Sequence, residues 1–173
     1  KKLFKNITLA IFSLSCVYAV LVSVFVLKEP FFVEPIELNG QELSIRNDDY
    51  GEGDFGAKRR NHRSHSGIDI ESAMNGPVFA SKSGWARSID SSGGYGKLIV
   101  IYHLDGYQTR YAHLSGFNIK RSQWVSQGDV IGSIGKSGNA DSSGIKPHLH
   151  FEIRRKKKVL DPLGFFAKKR RKE

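Results

Sequence analysis

Four histidines and one aspartate fall in three places where they could act together. In His148-Leu149-His150 two imidazoles are separated by one residue. On a strand, residues i and i+2 share a face about 6.5 Å apart, so both rings can address one point. In His65-Ser66-Gly67-Ile68-Asp69 an imidazole and a carboxylate are brought together around a glycine. Asp69 lies between Ile68 and Ile70, so a strand would bury the isoleucines and turn the carboxylate to the other face. His113 closes a strand-like stretch. Two histidines and one aspartate suit a catalytic zinc, which takes three protein ligands and keeps one position open. The ion lowers the pKa of water and polarises a carbonyl, and two further histidines could accept a proton and stabilise an oxyanion. Taken singly, a His-x-His is commonly incidental and a strand-end histidine commonly a surface residue. Their conjunction in 173 residues points to a metal site. His62 and His103 lack such pairing and read as surface or structural. No helix carrying His-Glu-x-x-His and no glycine-rich phosphate loop is present.

The elements that must position these residues read as short strands. Residues 32–38 and 41–45 flank Asn39-Gly40, the signature of a primed hairpin turn. A Gly-rich polar loop occupies 48–56. Strands are expected at 77–81 and 85–89, with a glycine-dense turn at 91–96. The clearest hairpin pairs 97–104 with 107–113 across Asp105-Gly106. A further pair of short strands surrounds Gln127-Gly128-Asp129, residues 148–154 form another strand, and 159–163 lead to a short turn or helix. With 18 glycines and no long amphipathic helix or repeat in this region, the expected fold is all-β. It is an antiparallel two-sheet sandwich or partly open barrel.

The formal net charge of +10 invites a nucleic-acid reading, and its distribution argues against one. Residues 28–153 carry 14 basic and 15 acidic residues, whereas 154–173 carry 10 basic residues against Asp161 and Glu173. The charge sits in tails and not across a folded face, so no nucleic-acid partner is expected. Residues 7–27 are uncharged over 21 positions, long enough to cross a bilayer. Lys1, Lys2 and Lys5 precede them, which places the N-terminus in the cytoplasm and the rest outside. The apolar run is too long for a usual signal core and no small-x-small cleavage site precedes Lys28, so an uncleaved anchor is expected rather than a cleaved signal peptide. Cys16 is the single cysteine, so no internal disulfide forms. Ser13-Leu14-Ser15 before it is a poor lipidation motif.

The run from Asp54-Phe55-Gly56 to Phe166 resembles the lysostaphin-like (LytM-type) zinc endopeptidases. The matching segments are HSGIDI (65–70), GPVFAS (76–81), GGYGKLIVI (93–101), TRYAHLS (109–115), GDVIGSIGKSG (128–138), PHLHFEIR (147–154) and DPLGFF (161–166). The resemblance implies one zinc per chain, held by His65, Asp69 and His150. It implies that His148 is the general base, that His113 is its partner at the oxyanion, and that Tyr111 lines the substrate cleft. It also implies an antiparallel β fold of the duplicated hybrid motif type, with the metal on a groove floor. The substrate implied is the peptide cross-links of bacterial peptidoglycan. Residues 139–146 form a longer connection than the family usually has there, which bears on substrate preference and not on the metal site. The domains expected are an anchor (1–28), a juxtamembrane segment with a hairpin (29–53), a zinc endopeptidase domain (54–167) and a basic tail (168–173). That chain would sit as a single-pass protein in the bacterial cytoplasmic membrane, its catalytic domain facing outwards. The tail reads as a solvated terminus or as an attachment to anionic envelope polymers or lipids. Two other functions compete: a non-catalytic wall-binding regulator that activates another hydrolase, and a zinc protease acting on secreted proteins.

Overall fold

The structure, a computed structural model, describes residues 1–59, 62–90 and 93–166; the basic tail at 168–173 lies outside them. The chain divides into two units, Lys1–Pro30 and Phe31–Glu173. The first is one helix, α1 (Lys2–Lys28), long and apolar enough to cross a membrane. Several of its hydroxyls bond within the helix: Thr8 donates to Phe4 O at 2.9 Å, Ser13 to Leu9 O at 2.9 Å and Ser23 to Ala19 O at 2.8 Å. Such back-bonding satisfies these hydroxyls without water.

The second unit is antiparallel β, as its sequence implies. Its strands are β1 (Asn47–Asp48), β2 (Gly51–Glu52), β3 (Ile68–Glu71), β4 (Pro77–Phe79), β5 (Gly84–Ile89), β6 (Lys97–Tyr102), β7 (Tyr107–Leu114), β8 (Gly116–Phe117), β9 (Ser122–Val125), β10 (Val130–Ser133), β11 (His148–Arg155) and β12 (Lys158–Leu160). A seven-stranded sheet runs β12-β11-β7-β6-β5-β9, with β3 also paired to β11. A smaller sheet runs β4-β10-β8, and β1 and β2 form a two-stranded ladder. The large sheet alternates as a half-buried strand pattern requires. Ile99, Ile101, Tyr111, Leu149, Phe151 and Ile153 turn inward, where Val78 and Ile131 of the smaller sheet join the same buried cluster. The site residues are on its other face.

One expectation is corrected. The turn at Asn39-Gly40 forms, with φ of +46° and +84° and Gln41 N–H donating to Leu38 O at 2.7 Å, but its flanks do not pair with each other. Val33 N–H donates to Ser81 O, Phe79 N–H to Pro35 O and Glu71 N–H to Ser44 O. Phe32 and Ile36 are buried in the main core, and this burial outweighs the local hairpin signal. The two short strands around Gln127-Gly128-Asp129 form as the sequence implies, and they enter different sheets. β9 joins β5 in the large sheet, while β10 joins β4 and β8 in the smaller one.

Candidate metal centre

Three elements bring the five chemical residues together. β3 pairs with β11 so that Asp69 stands opposite His150 and Glu71 opposite His148. Ile68 and Ile70 enter the core, as their alternation with Asp69 implies. His65 precedes β3, in a loop closed by Gly56 N–H to His65 O at 3.0 Å and His65 N–H to Ala57 O at 2.8 Å. His113 lies near the end of β7 with a φ of +62°, a left-handed conformation that costs a non-glycine residue roughly 1 kcal/mol or more. Its Nδ1 is 2.8 Å from Ser137 O, and its ring centroid is 5.1 Å from that of His148 and 5.8 Å from that of His150.

The donor atoms of His65, Asp69 and His150 converge. His65 Nε2 is 3.0 Å from His150 Nδ1 and 3.1 Å from Asp69 Oδ1, and His150 Nδ1 is 2.8 Å from Asp69 Oδ1. The outward ring nitrogens have their own partners: His65 Nδ1 is 2.8 Å from Asp54 O, and His150 Nε2 is 3.1 Å from Glu152 Oε1. Partners of that kind fix tautomer and ring orientation around a metal. Two nitrogens and one carboxylate oxygen, all buried and facing one point, fit a three-ligand zinc site.

Charge favours a cation at this point. Burial alone would raise the Asp69 carboxyl, but hydrogen bonds from His150 and His65 overcome it and hold the group far below the usual carboxylate range. Burial alone would lower His150, yet Asp69 and Glu152 push it up to about 9. A ring that binds a proton between two carboxylates sits where a metal ion would also be stabilised. His148 and His113 behave oppositely. Burial lowers His148; burial, with repulsion from His150 and His148, pushes His113 down to about 3. Both are therefore neutral bases near neutral pH. His148 Nδ1 lies 2.8 Å from Lys146 O, and its Nε2 is 4.0 Å from Asp69 Oδ1. Donation from Nδ1 to that carbonyl leaves the Nε2 lone pair on the cluster side.

Tyr111 does not line a cleft. Its neighbours Arg110 and Ala112 share the site face, so alternation sends Tyr111 into the core, where it is fully buried. Its hydroxyl oxygen accepts from Ser81 N–H at 2.9 Å and from Thr109 Oγ1 at 3.0 Å. Tyr111→Phe is expected to cost about 1–3 kcal/mol of stability, since Ser81 N–H loses its partner. A thermal melt checks this.

Other residues were not singled out by spacing. Arg46 and Arg59 reach Asp69 Oδ2 at 3.1 and 3.2 Å, leaving Oδ1 for the cluster. Both lie in irregular chain outside β3, so no strand or helix period links them to Asp69 and the sequence carries no signal for them. Glu152 did have one. It continues the alternation His148, His150, Glu152, Arg154 along β11. It bonds His150, Arg154, Ser66 and Tyr95. His62 is exposed. His103 is buried and structural, with Nδ1 2.9 Å from Ser83 O and Nε2 3.0 Å from Thr109 Oγ1.

Antiparallel sheets carrying a buried His-Asp-His cluster beside two further imidazoles define a metallopeptidase type of site. The chain belongs to Peptidase family M23, whose profile matches residues 63–162. Over 102 residues it is 40% identical to the DD-carboxypeptidase/endopeptidase Mpg of Neisseria meningitidis, covering 59% of this chain and 23% of that protein. It is 33% identical over 106 residues to the lipoprotein NlpD/LppB homolog of Pseudomonas aeruginosa, covering 61% and 34%. Among solved structures, a zinc-containing peptidase from Vibrio cholerae superposes with a TM-score of 0.61 at 26% identity, covering 77% of this chain and 39% of that one. The chain thus spans about a quarter to a third of the length of these two curated relatives.

Proposed function

We propose that this chain is a zinc endopeptidase that hydrolyses the peptide cross-links of bacterial peptidoglycan, with α1 as a single-pass anchor and the β unit on the extracytoplasmic side. The observation that carries the reading is the completeness of the centre. His65, Asp69 and His150 offer three converging ligand atoms, and two neutral imidazoles stand beside them. Zinc held there supplies Lewis acidity towards a peptide carbonyl and acidifies water. His148 accepts the proton of the attacking water through Nε2, with Lys146 O fixing its tautomer. His113, held by Ser137 O, stands ready for the carbonyl oxygen; it becomes a hydrogen-bond donor at Nε2 only when it carries a proton. Arg46 and Arg59 hold and orient Asp69 through its Oδ2.

His148→Ala separates this function from wall binding without hydrolysis. The variant is expected to retain the wild-type zinc content and to lose about 10²- to 10⁴-fold in turnover, the range for a general base. Metal analysis and mass spectrometry of fragments released from cross-linked peptidoglycan read both quantities. Equal release by the variant would remove His148 from the reaction. A non-catalytic regulator would show no metal-dependent release in either protein.

A further inference from the structure

The face of the large sheet that carries the candidate metal centre extends well beyond it. Directly paired residues on neighbouring antiparallel strands share a face. From β11 the register runs Arg154 to Gln108, Gln108 to Tyr102, Tyr102 to Trp85 and Trp85 to Trp124. This row lies on the same side as His150 and Glu152, which occupy alternate positions before Arg154. Its last three members are aromatic, on adjacent strands, and half in solvent: Tyr102 is 51% exposed, Trp85 52% and Trp124 44%. Trp85 Nε1–H donates to Ser122 Oγ at 2.7 Å, which fixes that ring at the surface. At strand spacing the row of three spans about 10 Å. An open trough of about 700 Å³ adjoins it, lined by Trp85 and Tyr102 with Arg87, Lys120, Arg121 and Ser122, and among the described residues it holds three cations and no carboxylate.

We propose that Tyr102, Trp85 and Trp124, with Arg87, Lys120 and Arg121, form a binding platform for an acidic polysaccharide, the glycan strand from which the cleaved peptides hang. The proposal rests on the peptidoglycan reading above and names where the rest of that substrate lies. Exposed contiguous apolar surface rimmed by polar groups marks an interaction site. Exposed aromatic rings on one face present the flat π surfaces against which the C–H faces of sugar rings pack, and the cations complement the carboxylates of sugars that carry no peptide and of the pendant peptides themselves. The placement suits a peptide joined to a glycan. Arg154 stands four residues along β11 from His150, about 14 Å, and Tyr102 and Trp85 lie two and three strands across, about 10–15 Å. That combined span is the reach of about five or six extended residues. A glycan on the platform would therefore deliver a short pendant peptide to the metal centre.

The chain contains two tryptophans, and both are on the platform. Their fluorescence therefore reports this surface. The full chain in detergent, treated with chelator so that no hydrolysis occurs, is titrated with glycan strands stripped of their peptides. Saturable change in tryptophan emission is expected, and Trp85→Ala or Trp124→Ala should weaken binding, measured by co-sedimentation, about tenfold. Arg87→Glu, an exposed charge reversal that leaves both rings in place, should weaken it and reduce its salt dependence. Absence of binding, or binding with unchanged emission and unchanged affinity in all three variants, overturns the proposal. Tighter binding of single-stranded DNA or of anionic vesicles, lost in the same variants, overturns it as well and reassigns the surface. Because the readout needs no catalysis, a failure here leaves the endopeptidase reading standing, and a failure of hydrolysis leaves this result intact.

Discussion

Asp69→Ala is expected to abolish zinc retention and hydrolysis and to destabilise the β unit even without metal. The Asp69 side chain is 5% exposed and serves two groups at once. Its Oδ1 lies within 3.1 Å of both His65 and His150, and its Oδ2 receives Arg46 and Arg59. Removing it takes one of three ligands from a site that needs three. It also leaves the buried Arg46 guanidinium with a single carboxylate partner, Asp48, and Arg59 without its ion pair. Breaking a buried pair of this kind costs about 3 kcal/mol, equivalent to a fall of about 10 °C in melting temperature for a domain of this size. Thermal unfolding in chelator isolates that contribution from metal binding. Asp69→Asn keeps the volume and one acceptor, and should recover part of the stability without the zinc. Unchanged melting of Asp69→Ala would mean that the two arginines do not depend on this carboxylate.

Gly67→Ala should be nearly as damaging, for a purely steric reason. A Cβ there would lie 2.2 Å from Phe151 O and 2.9 Å from both Phe151 C and Glu152 Cγ. Phe151 is fully buried in β11, between β3 and β7, so its backbone has nowhere to move. The His65-Ser66-Gly67-Ile68-Asp69 segment must then lift away, separating two metal ligands from the third. A loss of about 3 kcal/mol, at the upper end for overpacking, is expected together with weaker zinc affinity. Gly116→Ala is the control: nothing lies within 4 Å of its would-be Cβ, and it should be near neutral. Comparable losses in both variants would refute the steric account.

The role of Gly67 shows what the sequence did and did not carry. The spacing shows a glycine between His65 and Asp69 but not its reason: its φ is outside the left-handed region, and close approach to β11 is what demands it. That contact is between residues 84 positions apart and has no local signature. The hairpin of β6 and β7 was legible, because alternation and the Asp105-Gly106 turn agree, and so was the strand that carries His148 and His150. In β3, Ile68 and Ile70 already told which way Asp69 would face. Residues 32–45 were misread because a good turn does not decide what its flanks pair with. Phe32 and Ile36 found more burial in the core than a hairpin would have given them. Tyr111 occupies the core face of β7, so the cleft role that the resemblance implies does not transfer to it. Arg46, which orients Asp69 from 23 residues away, could be found only once the chain was folded.

The most direct test of the account is digestion of purified cross-linked peptidoglycan by the full chain in detergent, with zinc, with chelator, and with zinc restored after chelation. Mass spectrometry of the soluble fragments would be the readout. Loss of cross-linked dimers is expected with zinc, none with chelator, and recovery when zinc is returned. If zinc binds stoichiometrically and no peptide bond in any wall type is cut, the endopeptidase assignment is contradicted.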